Sequence, residues 1–157
     1  MNTKKISRTA ILAAVYFVIT VGLSPISYGA VQVRLAEALT LLPFYFGPWA
    51  AVSLWIGVAF ANALGPLGIV DIIGGSLITL IAGFLTASSP NRWVGAIWPV
   101  LLNALGVAAI LSYVLNLPYW PTALSVGAGQ FVAVWMVGLP LMSVLIPYLR
   151  QHTELVD

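Results

Sequence analysis

The chain has no cysteine, which excludes a disulfide framework, a thiolate nucleophile and any cysteine-based metal site. Its single histidine, His152, lies close to the C-terminus, so imidazole acid–base chemistry and histidine metal ligation are not expected inside the fold. No G-x-x-x-x-G-K-[ST] phosphate loop occurs, so the chain does not energise any process with ATP by that route. Charge is scarce as well. Only 6% of the 157 residues are charged, against about 25% in soluble domains, and no soluble surface can be built from so few. The formal net charge of +2 is too small to indicate a nucleic-acid partner. No cofactor or metal is expected.

What the chain has in abundance is apolar sequence, 61% of its residues. No Asp, Glu, Lys or Arg falls between Arg92 and Arg150, nor between Glu37 and Asp71. A membrane-spanning helix needs about 20 mostly apolar residues, so the first of these stretches has room for two crossings. The fold class expected is an all-α integral membrane bundle of six transmembrane helices in one domain, 1–157, with the lipid bilayer as its solvent.

Proline and glycine set the divisions: Ser24-Pro25, Gly47-Pro48, Gly65-Pro66, Ser89-Pro90 and Leu117-Pro118 each disfavour helix before the proline and remove a donor. The spans expected are about 6–23, 32–46, 48–64, 70–87, 92–115 and 122–149. The second is short, roughly 22 Å at 1.5 Å per residue. The first thirty residues share features with a secretory signal, with Lys4, Lys5 and Arg8 before an apolar run and small residues at Ser27–Ala30. The segment is read as a retained first helix, because a chain cleaved there would have to insert again at once.

Basic residues next to spans stay on the cytoplasmic side. Lys4, Lys5 and Arg8, then Arg92, then Arg150 all fall on that side if six crossings leave both termini in the cytoplasm. Tyr28, Tyr113, Tyr119 and Trp120 then lie near outer ends, and Trp49, Trp93, Trp98 and Tyr148 near inner ends, as aromatic belts do.

Arg34 alone resists that arrangement, and it marks the candidate site. On the same topology Arg34, Glu37, Asn62, Asp71 and Gln130 lie in the outer half, with Asn103 near mid-membrane. Charges within a span are disfavoured by about 2.5–3.5 kcal/mol at the centre, so such residues usually face inward and serve a function. Each also has a structural alternative. Arg34 and Glu37, three apart, can form an ion pair, Asp71 can cap helix four, and Asn62 can end helix three. Asn103 and Gln130 can join helices by hydrogen bonds. Tyr119 and Trp120, in the last outer turn, could stack over a planar ligand or simply belong to the belt. Ala10 and Ala14, with Ala13 beside them, make a small-residue face that permits close helix approach, to a partner or within the bundle.

The run Tyr28-Gly-Ala-Val-Gln-Val-Arg-Leu-Ala-Glu-Ala-Leu-Thr-Leu-Leu-Pro-Phe44 resembles the segment opening helix two in the QueT family. The basic N-terminus before an Ala-xxx-Ala helix, six short spans, Gly65-Pro66-Leu67-Gly68 ahead of Asp71, and the chain length extend the likeness. The resemblance implies a substrate-binding S component of an energy-coupling factor (ECF) transporter, which binds a vitamin-like solute on its outer side. The partners implied are a membrane scaffold subunit, EcfT, and two cytoplasmic ATPases. Ala10 and Ala14 inherit the scaffold-facing role, and the S component is thought to topple in the membrane to deliver its cargo. The family name implies a queuosine precursor, a deazaguanine carrying an aminomethyl group, while another vitamin such as cobalamin stays open. An independent secondary transporter or channel and a membrane enzyme are the readings from other classes.

Overall fold

The computed structural model describes residues 3–23 and 34–152, and all of their side chains except those of Lys4 and His152. The Ser24-Pro25 break, the Ser27–Ala30 segment, Tyr28 and the first part of the QueT-like run lie outside the described residues. Among the described residues there is no strand. Six helical segments succeed one another: α1 (Thr3–Gly22), α2 (Leu35–Phe46), α3 (Pro48–Ala63), α4 (Asp71–Ala87), α5 (Arg92–Leu115) and α6 (Tyr119–Gln151).

Three of them, α1, α5 and α6, are long and apolar enough to cross a membrane. The surface is built for lipid: Ile11, Val18, Phe60, Ile69, Leu124 and Val144 are each more than 60% exposed, while Glu37, Asn62, Asp71, Asn103 and Gln130 are buried. That inversion of the usual rule is what a protein with hydrocarbon outside requires.

The turns follow from the residues at them. Gly47 joins α2 to α3 with φ +82°, a conformation only glycine adopts without strain. Asn91 caps α5, its Oδ1 accepting from the Trp93 and Val94 amides at 3.1 and 3.0 Å. The same helix ends on Asn116 in the left-handed region, φ +54°, two residues before Pro118.

Inside α5, Pro99 has no N–H to offer the Gly95 carbonyl four residues back. The buried Thr86 hydroxyl of α4 donates to that carbonyl instead, at 3.0 Å, and ties the two helices together.

Three stretches are wound more loosely than an α-helix, as π turns: Asp71–Gly75, Asn103–Val107 and Val132–Gly138. One is wound more tightly. Leu35–Leu41 is a 3₁₀ helix, and Pro43 supplies a cause. Lacking an N–H, it leaves the Leu39 carbonyl to the Leu42 amide three residues on. The Thr40 hydroxyl takes the Glu37 carbonyl over the same interval, at 2.6 Å.

Helix α1 packs chiefly on α3, α3 on α4, α4 on α5, and the middle of α6 against α2. Small residues sit where the backbones come close. A Cβ added at Gly57 of α3 would fall 2.7 Å from the Ala13 carbonyl oxygen of α1. The obstacle is backbone and cannot swing away, so Gly57→Val will destabilise the fold by about 1–3 kcal/mol. Thermal unfolding in detergent reads the effect, and an unchanged melting temperature would show that α1 and α3 can separate freely.

Candidate functional site

The three π turns and the 3₁₀ stretch carry or adjoin most of the buried polar side chains. Glu37 lies in the 3₁₀ stretch, Asp71 and Asn103 each begin a π turn, and Gln130 lies two residues before the third. Non-α winding of this kind turns side chains and carbonyls away from their regular positions, and it recurs at functional sites.

These residues meet around one internal cavity of about 10 Å³, lined by Arg34, Glu37, Asn62, Asp71, Asn103 and Gln130, with Gly75, Thr79, Val107 and Val126 between them. All six polar residues singled out within the spans therefore share one site, although they come from α2 through α6 and the turn before α2.

Two runs of hydrogen bonds cross the site, and Arg34 beside Tyr16 joins them. In the first, the buried Tyr16 hydroxyl of α1 donates to Glu37 Oε1 at 2.5 Å, and Asn103 Nδ2 donates to Glu37 Oε2 at 3.3 Å. In the second, Arg34 Nη1 donates to Asn62 Oδ1 at 3.0 Å, and Asn62 Nδ2 donates to the Asp71 backbone carbonyl at 2.9 Å. The Arg34 guanidinium also interacts electrostatically with Tyr16, Glu37 and Asp71. One cation thus faces two carboxylates. Gln130 Oε1 is buried with no hydrogen-bond partner in the protein, a condition that a bound donor would relieve.

Two expectations need correction. Asp71 does not cap its helix through its side chain: the Asp71 and Ile72 amides both bond to the Gly68 carbonyl at 3.1 Å, and the carboxylate lines the cavity. Tyr119 and Trp120 do not cover the site. Pro118 and Pro121 favour an early helix start, so both rings fall in the first turn of α6 and stack edge to face at 5.0 Å. The Tyr119 hydroxyl is taken by the Leu105 carbonyl and Trp120 is 70% exposed.

Ala10 and Ala14 lie apart from this cavity, exposed on α1. With Ala13, Phe17, Ile56 and Phe60 they line an apolar trough of about 350 Å³ on the outside of the bundle.

A family model described as QueT transporter matches residues 6–147, nearly the whole chain. The chain belongs to the QueT transporter family. It is therefore a membrane protein of a transport family. It is 40% identical over 82 residues to a protein of Lactococcus lactis subsp. cremoris (strain MG1363) described as queuosine precursor transporter QueT. The alignment takes in 51% of this chain and 47% of that relative, so the chain spans about half its length. No solved structure matches the chain.

For this family member, reading the sequence missed Tyr16. As an aromatic residue in the middle of α1, it carried no mark of a site. The available signal was its spacing from Ala13 and Thr20, which puts a hydroxyl on the buried face of a membrane helix, where it must find a partner. Thr79 is marked only by being polar, and Gly75 by closeness, since a Cβ there would press on Asp71 and on Asn62 Nδ2.

Proposed function

We propose that this protein is the substrate-binding S subunit of an ECF-type importer, and that it takes a queuosine precursor, an aminomethyl-deazaguanine, from the outside. Membership of the family and the printed description of the lactococcal relative support the solute class. The observation that carries the reading is the composition of the buried cavity: two carboxylates, one guanidinium and an amide oxygen without a partner. With these groups ionised the site holds one negative charge in excess, and a ligand ammonium would balance it at low dielectric. The ring N–H groups of a guanine-like ligand suit Glu37 and Gln130 Oε1, both acceptors.

In this reading EcfT docks on the Ala10 and Ala14 face of α1, and two partner ATPases supply the energy. Both termini lie in the cytoplasm, as the basic residues favour. A cysteine introduced beside Asp157 is then protected from an impermeant reagent added outside intact cells, and labelling there would reverse the topology.

Calorimetry on the purified protein tests the ligand. Aminomethyl-deazaguanine should bind ten- to a hundredfold more tightly than the analogue bearing a methyl in place of the aminomethyl. The difference expected for a hydrogen-bonded charge is about 1.5–3 kcal/mol. Equal affinities would remove the charge argument, and no binding of either would overturn the solute assignment.

A further inference from the structure

We propose that Tyr16 couples occupancy of the cavity to the outward face of α1, acting as a positioning residue behind Glu37. The inference rests on the S-subunit reading and adds a route by which a ligand is sensed.

Helix α1 has two working faces. Ala13, Tyr16 and Thr20 are buried against the bundle, whereas Ala10, Ala14 and Val18 face outward. Tyr16 is completely buried and does not line the cavity. It stands behind Glu37 and beside Arg34, donating its hydroxyl to Glu37 Oε1 at 2.5 Å, while Oε2 takes the Asn103 amide. The Thr20 hydroxyl bonds to the Tyr16 carbonyl at 2.9 Å and fastens the same turn of α1.

A ligand donor that engages Glu37 must draw the carboxylate towards the cavity or share its lone pairs, and either change alters the bond to Tyr16. Ala14 lies two residues away, about 3 Å along the helix axis at 1.5 Å per residue. A shift of Tyr16 moves the Ala14 backbone with it, because one helix carries both. Ala13, three residues before Tyr16, packs closely on Gly57 of α3. Coupling of this kind is reciprocal, so a partner docked on Ala10 and Ala14 changes ligand affinity by the same factor that ligand changes docking.

The absence of cysteine makes the test clean. Val18→Cys, 62% exposed on the outward face, carries an environment-sensitive fluorophore in nanodiscs, and saturating aminomethyl-deazaguanine is added while calorimetry follows binding. The emission should change in this background. It should no longer change when Tyr16→Phe is added, although ligand still binds with affinity altered by less than tenfold. Ser53→Ala, which removes a buried α3 hydroxyl that lies outside the cavity and bonds to the Trp49 carbonyl of its own helix, should keep the emission change at saturation. An equal emission change with and without the Tyr16 hydroxyl would overturn the proposal, as would binding to the labelled parent without any change. Loss of all binding in Tyr16→Phe would overturn it too, placing Tyr16 in the binding site itself. If the labelled parent binds nothing, the solute reading falls and the coupling falls with it.

Discussion

Glu37→Gln will weaken binding of aminomethyl-deazaguanine ten- to a hundredfold and leave expression and folding nearly unchanged. The side chain is 2% exposed, and each of its oxygens accepts one hydrogen bond, from Tyr16 and from Asn103. Glutamine keeps the volume and one acceptor but loses the charge, and a hydrogen bond to a charged group contributes about 1.5–3 kcal/mol. The new NH₂ can donate to the Tyr16 oxygen, which leaves the Tyr16 hydrogen without the acceptor it had, so the melting temperature is followed beside binding. Asp71→Asn should act in the same direction, because it too removes a negative charge from the cavity wall. Titration of the two purified variants decides the matter. If both bind as tightly as the parent, the charges serve to join helices and the ligand site lies elsewhere.

Ala14→Trp will abolish uptake by the assembled transporter while solute binding to the isolated subunit persists. Ala14 is exposed on a trough whose floor is alanine and whose walls are Phe17, Ile56 and Phe60. A trough of small residues permits backbone approach by another helix, and in lipid such approach is stabilised mainly by van der Waals packing that an indole would hold apart. Nothing in the cavity touches this face. Uptake in cells and calorimetry on the purified subunit separate the two effects, and an equal loss of both would reassign Ala14 to packing within the bundle.

The six-helix plan was legible because its signals are local. The breaks at Gly47-Pro48, Gly65-Pro66, Ser89-Pro90 and Leu117-Pro118 interrupt helix by their own chemistry, and charge-free apolar runs need no tertiary knowledge. The gathering of Arg34, Glu37, Asn62, Asp71, Asn103 and Gln130 was legible for a related reason: polar residues in an apolar chain are few, and lipid leaves them only the interior. Their pairing was legible only in part. Spacing suggested Arg34 with Glu37, and the two do interact, but Arg34 also bonds to Asn62 and Glu37 to Tyr16 and Asn103, contacts that no spacing announces. The 3₁₀ winding has a local cause in Pro43, whereas no local pattern announces the three π turns. Of the two readings open for Tyr119 and Trp120, stacking on a ligand or an aromatic belt, their place at the start of α6 and away from the cavity lining suits the belt.

The small size of the cavity carries a consequence for timing. About 10 Å³ is room for one water molecule at most, so on the proposed function a bicyclic ring would enter only if the walls parted. If the parted form were populated about one part in a hundred, apparent affinity and capture rate would both fall about a hundredfold below those of a preformed pocket. The same walls closing behind the ring would slow its escape. A scavenger working at low solute concentration would then trade quick capture for a long residence time, holding its cargo through the interval until a partner arrives.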